Sequence, residues 1–176
     1  MKKIYTIILA LGIGSAAFAQ NGGGNLHIFN NNTQNLNLNY TIFTTTLNCG
    51  SGMQGDHAST ILPPGTIATY TTFAASTSTS TPPHPYPINS WSGTPAAMIP
   101  PFIASASRYH YLKFQLTDPG NPAPMIPTLG GSVGFMQNCN SAIPAVLDVA
   151  STANGINYTL HAEATTFGGD LWIVTQ

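Results

Sequence analysis

The C-terminal end of the chain carries its most continuous pattern for regular structure. Three segments are rich in β-favouring residues: Val146–Ala150, Ile156–Ala164 and Leu171–Thr175. They are separated by turn sequences that contain Asn-Gly and Gly-Gly. Those dipeptides supply the positive φ angles that tight hairpins require. The middle segment alternates apolar and polar residues, as a strand with one buried face does. The pattern predicts a three-stranded antiparallel meander whose apolar face must be covered by a second layer.

Similar but shorter patterns recur upstream. They predict strands over Asn25–Phe29, Leu36–Thr46, Thr66–Phe73, Arg108–Thr117 and Ser132–Cys139, with the first two paired as a hairpin. Pro122–Gly131 is predicted to be a Pro/Gly connection. With about eight strands and turns full of Gly and Pro, the sequence predicts an all-β fold, an antiparallel β-sandwich of the immunoglobulin-like or jelly-roll kind.

A long Pro-rich loop interrupts the strands. Ala74–Thr81 is a run of small and hydroxyl residues, and Pro82–Pro101 holds seven prolines, which continue neither a helix nor the interior of a sheet. We expect an ordered, extended loop that packs on the sandwich through His84, Tyr86, Trp91, Met98 and Phe102, with Ser76–Thr81 as its mobile part. Long ordered loops often carry function, so this one is the first candidate region.

The N-terminal residues predict export. Lys2 and Lys3 precede the apolar run Ile4–Ile13, and small residues end at Ala19, which is the pattern of a secretory signal peptide over residues 1–19. Residues 20–176 then have the length of a single domain. The predicted location is the cell surface, the exterior or the periplasm. No other apolar run approaches the roughly 20 residues of a transmembrane helix.

Charge is scarce, at 5% of residues against about a quarter in average domains. Without the leader, Arg108 and Lys113 stand against five carboxylates, a formal charge of −3. Two cations cannot neutralise a phosphate backbone, which argues against nucleic acid as a partner. A surface of Thr and Asn also leaves strand edges poorly protected against pairing with other chains, which is compatible with self-association.

Cys49 and Cys139 are predicted to form one disulfide, because the chain is expected to be exported. A free catalytic thiol is the alternative, but neither cysteine stands beside a histidine in sequence.

Four aromatic residues form the candidate ligand site. Tyr109 and Tyr111 are predicted to project outward from one strand, and Tyr86 and Trp91 lie in the Pro-rich loop. Exposed rings stack on the C–H face of sugars, so the four residues indicate a carbohydrate-binding module. For Trp91 the alternative is a plug that pins the loop to the core.

Three residues form the candidate metal site and provide the only cofactor hypothesis. His161 and Glu163 are two apart on the polar face of one strand, and alternation places His27 on the outer face of the first strand. Together they would give a three-ligand site with an open position. The alternative is an ordinary solvated strand surface.

Other catalytic arrangements are weaker. Asp56 and His57 are half of a triad, but no Gly-X-Ser-X-Gly sequence accompanies them. His110 is predicted to share the inward face of its strand with Leu112 and Phe114, as a core histidine. The sequence therefore favours a non-catalytic exported module for adhesion, matrix or surface assembly, whose partner is an extracellular surface, a glycan or another copy of the chain. The carbohydrate-binding module and a metal-dependent secreted enzyme are the alternatives.

Overall fold

The computed structural model describes residues 23–57, 61–76, 88–118, 121–136, 138–153 and 155–176, so the predicted leader lies outside it. The strands are β1 Leu26–Asn30, β2 Asn35–Thr46, β3 Gly55–His57, β4 Ile61–Leu62, β5 Thr66–Tyr70, β6 Ile88–Trp91, β7 Thr94–Pro95, β8 Ser107–Asp118, β9 Asn121–Gly134, β10 Val146–Ala153, β11 Ile156–Phe167 and β12 Asp170–Thr175. The helical segments are α1 Phe73–Ser76, the 3₁₀ turn Ala96–Met98 and α2 Pro101–Ala106. No helix in these ranges is long and apolar enough to cross a membrane.

The strands form three open sheets. One has the order β10-β11-β12-β1-β5, the second β4-β2-β8-β9, and the third β3-β6-β7. Neighbouring strands are antiparallel except β1 and β12, which run parallel. The prediction of a mostly β structure is confirmed.

The C-terminal meander is present as β10, β11 and β12, paired in sequence order. Gly155, Gly168 and Gly169 take φ angles of +76°, +63° and +92° in its two turns, which an L side chain rarely adopts. Leu160 and Ala162 of β11 are buried at 2% and 0% exposure, so the alternation in the sequence identified the inward face correctly.

The predicted first hairpin is wrong, because β1 does not pair with β2. β1 lies inside the five-stranded sheet between β12 and β5, whereas β2 belongs to the four-stranded sheet. The connection between them is held by Asn30, whose buried amide donates to the carbonyls of Gln34 and Leu62 and accepts from Asn32. The Asn-rich segment therefore carries the chain from one sheet to the next instead of reversing it within one sheet.

One hydrophobic core joins the three sheets. Ile28 and Ile173 come from the five-stranded sheet, Ile42 and Leu112 from the four-stranded sheet, and Trp91 from the three-stranded sheet, and each is 0% exposed. The edge of the Phe73 ring meets Trp91, with ring centroids 4.5 Å apart. The small third sheet is thus fixed to the body by its tryptophan.

The Pro-rich segments contain more regular structure than the sequence predicted. Residues 122–131 belong to β9, not to a loop, and β9 lies at the edge of its sheet, where the missing N–H of proline is tolerated. From residue 88 onward the predicted loop consists of short strands and helices, while residues 77–87 lie outside the described ranges. Met98 and Phe102 do not pack as expected, since they are 72% and 73% exposed.

A bulge in β8 reverses two predicted side-chain directions. Tyr111 pairs with Phe43 and Tyr109 pairs with Thr44, so His110 is an extra residue on β8. The extra residue shifts the alternation, and Tyr109 becomes fully buried while His110 is half-buried beside Tyr111. The predictions that Tyr109 faces outward and that His110 faces the core with Leu112 are both wrong for this reason.

The predicted disulfide is confirmed. Cys49 and Cys139 are bonded across 90 positions of sequence, with their Cα atoms 5.0 Å apart. The bond ties the end of β2 to the segment after β9, so it links two distant parts of the chain.

Removal of this bond should destabilise the protein strongly, because the unfolded chain would regain the freedom of a long loop. The Cys49→Ser/Cys139→Ser double variant should lose roughly 4–5 kcal/mol of unfolding free energy on the chain-entropy estimate. Urea unfolding of the oxidised protein and the variant measures the difference. An unchanged midpoint would contradict the structural role of the bond.

Candidate functional site

A groove of about 370 Å³ lies beside the disulfide, within the size range of small-ligand sites. We call it the disulfide groove; it is lined by residues 43–45 of β2, by Cys49, Gly50, Gly52, Met53 and Gln54 of the following loop, and by Ser92, His110, Tyr111, Cys139 and Asn140. None of these described lining residues is Asp, Glu, Lys or Arg. The described part of the lining is therefore neutral and carries mainly aromatic, hydroxyl and amide groups.

The bulge turns His110 toward this groove. Its Nε2 is buried and has no hydrogen-bond partner among the described residues. Burial lowers the pKa of His110, and a hydrogen bond with the backbone of Met136 acts in the opposite direction. The ring is therefore neutral at pH 7. Since the bond with Met136 raises the pKa, the ring donates in it, and the unbonded Nε2 is then the nitrogen without a hydrogen.

Phe43 and Tyr111 form the aromatic wall of the groove. Their rings are stacked, with centroids 4.2 Å apart and an interplanar angle of 11°, and the edge of the His110 ring meets Tyr111 at 4.9 Å. On the neighbouring strand, a Cβ at Gly134 would lie 2.6 Å from the Cβ of Tyr111. Glycine at that position is what allows the tyrosine to sit against the sheet.

Two loop residues of the groove hold left-handed backbone conformations that side chains other than glycine seldom adopt. Cys49 has φ +57° and Ser92 has φ +50°. Cys49 is held by its disulfide, and Ser92 by two hydrogen bonds, because its N–H donates to the carbonyl of Gln54 and its Oγ accepts from the Gln54 N–H. Such residues persist only where the surroundings fix them, and they cluster at functional sites.

The four aromatic residues predicted as a ligand site are not on one surface of the described structure. Trp91 and Tyr109 are 0% exposed, so neither ring offers a face to a ligand, and the hydroxyl of Tyr109 donates to the carbonyl of Thr71. Tyr86 lies outside the described residues. Tyr111 alone of the four lines the disulfide groove.

The predicted metal residues do not converge. Across the sheet, the residue of β11 that lies level with His27 is Thr165. His161 is four positions away from Thr165 along the same strand, a distance of about 13 Å. Glu163 lies opposite Val146 and Val174. In the described ranges, no three His, Cys, Asp or Glu side chains are placed to hold one metal ion.

Each of the two histidines instead pairs with a carboxylate. His27 Nε2 donates to Oδ2 of Asp170 at 3.1 Å, and His161 Nδ1 donates to Oδ1 of Asp148 at 2.7 Å. The bond from His27 lowers the pKa of Asp170. Both pairs lie on the outer face of the five-stranded sheet. Asp56 is also engaged, because it accepts a 2.6 Å hydrogen bond from Ser90 Oγ.

That outer face carries a row of apolar side chains. One row across the sheet holds Ile67, Phe29, Val174 and Val146, with Glu163 between the two valines. Ile67 and Val146 are 47% and 46% exposed. We call these four residues, together with Trp172 in the adjacent row, the outer sheet face.

Trp172 is the largest side chain of the outer sheet face. It is half-buried, it stacks on His27 with ring centroids 4.2 Å apart, and its Nε1 donor has no acceptor among the described residues. Trp172 was not among the predicted site residues, although its position between buried Leu171 and Ile173 places it outward by simple alternation. For His110 no such signal exists, because the bulge depends on pairing with β2.

The neutral state of His110 leads to a pH dependence of stability. As the pH falls below about 6.5, the unfolded chain takes up a proton at this position before the folded chain does. Folding stability should therefore decrease from pH 7 toward pH 5, and His110→Gln should flatten that decrease. Thermal unfolding of both proteins across this range tests it, and identical slopes would contradict the burial of a neutral ring.

Comparisons with known protein families, with characterised proteins and with solved structures find no match to this chain.

Proposed function

We propose that the chain is an exported, non-catalytic β-sandwich module that acts at the cell exterior in adhesion, matrix or surface assembly, through contacts between copies of itself. The observation that carries the proposal is the outer sheet face, an apolar surface with a half-buried tryptophan at its centre. Export is supported by the Cys49–Cys139 disulfide, which is stable in oxidising compartments, and by the leader pattern of residues 1–19.

The sandwich architecture is supported by the way the sheets share their core. Leu26 and Leu171 of the five-stranded sheet are buried in the same cluster as Leu116 and Leu129 of the four-stranded sheet. Two sheets that bury their inner faces together are the usual solution for strands with one apolar face. Each sheet then keeps one face for contact with other molecules.

Contact with another protein explains several features of the outer sheet face together. The side chains of Phe29, Val174 and Trp172 point away from the core, because Ile28 and Ile173 between them are 0% exposed. Tryptophan is enriched at protein interfaces, where its ring is buried and its N–H finds an acceptor. The side chain of Trp172 is only half-buried, so part of it remains available for contact with a second molecule.

A second copy of the chain is a suitable occupant. A two-fold axis parallel to the strands at Val174 would place Ile67 of one copy over Val146 of the other, and Glu163 over Phe29, so that the two carboxylates do not meet. The row spans five strands, about 19 Å. A contact of that width is small, and the association should be weak and dependent on concentration.

Removal of the central tryptophan should weaken self-association. We expect Trp172→Ala to raise the dimer dissociation constant by about tenfold or more, as truncation of an interface tryptophan often does. Val174→Lys should weaken the dimer further, because position 174 lies on the two-fold axis and the two lysines would face each other. Sedimentation velocity over a series of protein concentrations up to about 1 mM, where weak dimers form, provides the measurement.

Phe102→Ala is the matched control, because Phe102 is 73% exposed and lies on α2, outside the outer sheet face. This variant should associate like the unmodified protein. A protein that remains monomeric over the whole series would contradict homotypic assembly. Equal association of the Trp172→Ala variant would remove the outer sheet face as its basis.

A further inference from the structure

We propose that β10, at the edge of the five-stranded sheet, pairs with β10 of a second copy of the chain, antiparallel and about a two-fold axis at Val149, so that the two sheets join into one. The contact is made by backbone hydrogen bonds along the edge of the sheet. It is therefore a second surface for self-association, separate from the packing proposed for the outer sheet face.

β10 presents backbone hydrogen-bonding groups at an open edge. Among the described strands, β11 is its hydrogen-bonded neighbour, and the N–H of Ala164 donates to the carbonyl of Ala145, directly before β10. Because the bonding direction alternates along a strand, the odd-numbered residues of β10 face β11 and the even-numbered residues face the open side. The even-numbered residues are all exposed: Val146, Asp148, Ala150 and Thr152.

The other edge strands of the described sheets are shorter or contain proline. β3, β4, β5 and β7 have three, two, five and two residues, and β9 contains Pro122, Pro124 and Pro127. Short edge strands, proline and charge are the usual protection against edge-to-edge pairing. β10 has eight residues without proline or lysine, and its one charged residue, Asp148, is hydrogen-bonded by His161 at 2.7 Å. This edge is therefore available for pairing.

The inner face of the sheet is incompletely covered at the same edge. Leu147 and Val149 pack against the core but are only partly buried. The residues opposite them on β11, Ala162 and Leu160, are 0% and 2% exposed. A strand added beside β10 removes more of the two β10 side chains from water, so pairing gains apolar burial as well as backbone bonds.

The order of residues in β10 fits a second copy in one register. A two-fold axis at Val149 pairs Val146 with the partner's Thr152 and Asp148 with the partner's Ala150, so every backbone group on the open side gains a partner. The two Val149 side chains then meet on the inner face, where β-branched side chains pack well across strands. An axis at Asp148 would instead bring two carboxylates face to face. This self-complementarity favours a second copy over an unrelated strand.

Amide hydrogen exchange, followed in ¹⁵N-correlated spectra over a series of protein concentrations, tests the pairing. In dilute solution the amides of Leu147 and Val149 should be protected by β11, and those of Asp148 and Ala150 should exchange rapidly. Toward about 1 mM, where weak dimers form, exchange at Asp148 and Ala150 should slow by about twofold or more. Rates that do not change with concentration would overturn the proposal, and so would protection of these two amides in dilute solution.

A charge reversal at Ala150 tests the register. Opposite charges on paired strands attract and like charges repel, so Ala150→Asp should weaken the dimer and Ala150→Lys should strengthen it, because the partner's Asp148 lies opposite. Each pair occurs twice about the axis, and we expect the two dissociation constants to differ by about tenfold at low ionic strength. Sedimentation velocity measures them, and equal constants would overturn the register.

Phe102→Asp and Phe102→Lys are the matched controls, because they make the same changes in net charge at a residue that is 73% exposed and distant in sequence from β10. These two variants should associate equally. If an Ala150 variant does not fold, amide exchange in the unmodified protein decides alone.

The outcomes are distinguishable from those of the outer-face experiment. Trp172→Ala should keep the concentration-dependent slowing at Asp148 and Ala150, since the edge does not include the tryptophan. Association that leaves both amides unchanged would overturn the edge pairing and leave the outer sheet face in place. Slowing of both amides, together with equal association of the Trp172→Ala variant, would support the edge and contradict the outer sheet face.

Discussion

The parallel pairing of β1 with β12 determines most of the architecture. It joins the first described strand to the last one, and it places β1 inside the five-stranded sheet. Both strands have neighbours on each side, and their inward residues Ile28 and Ile173 are buried at 0% exposure in the core shared with the other sheets. The same pairing brings His27 beside Trp172 and Phe29 beside Val174 on the opposite face. The outer sheet face is therefore a product of long-range pairing, not of any one segment.

A second long-range constraint organises the other sheet. The disulfide joins the loop after β2 to the segment after β9, and the extra residue on β8 places His110 on the same side of the sheet as Tyr111. Neither feature is needed to bury the core, since Tyr109 and Leu112 fill it on each side of the bulge. Their shared result is the disulfide groove, whose described lining carries no Asp, Glu, Lys or Arg.

Local patterns in the sequence were sufficient for some elements and not for others. The C-terminal meander was predictable because the alternation of Leu160 and Ala162 and the Gly-rich turns are contained in one continuous stretch. The location of β1 was not, because its partner is about 145 residues away and an Asn-rich turn resembles a hairpin turn. Tyr109 and His110 were assigned to the wrong faces because a bulge is defined by the opposite strand. β9 was missed because prolines are depleted from strands in general, and edge position cannot be inferred from one segment.

The candidate sites were likewise predictable only where their residues depend on local sequence patterns. The disulfide was predictable from cysteine content and the expected compartment, and the outward direction of Trp172 was available from alternation. The separation of His27 from His161 depends on the register of three strands, so sequence spacing alone placed them together incorrectly. Burial of Trp91 depends on the contact of a small third sheet with Phe73, which no local pattern encodes.

The proposed contact between copies of the chain across the outer sheet face can be measured directly in solution. The two tryptophans provide an internal comparison, because Trp91 is fully buried in the core whereas Trp172 lies on that face. Indole N–H resonances in ¹⁵N-correlated spectra, recorded over increasing protein concentration, measure both at once. If copies of the chain meet at the outer sheet face, the Trp172 resonance moves with concentration while the Trp91 resonance stays fixed. Two resonances that remain constant throughout the series would contradict it.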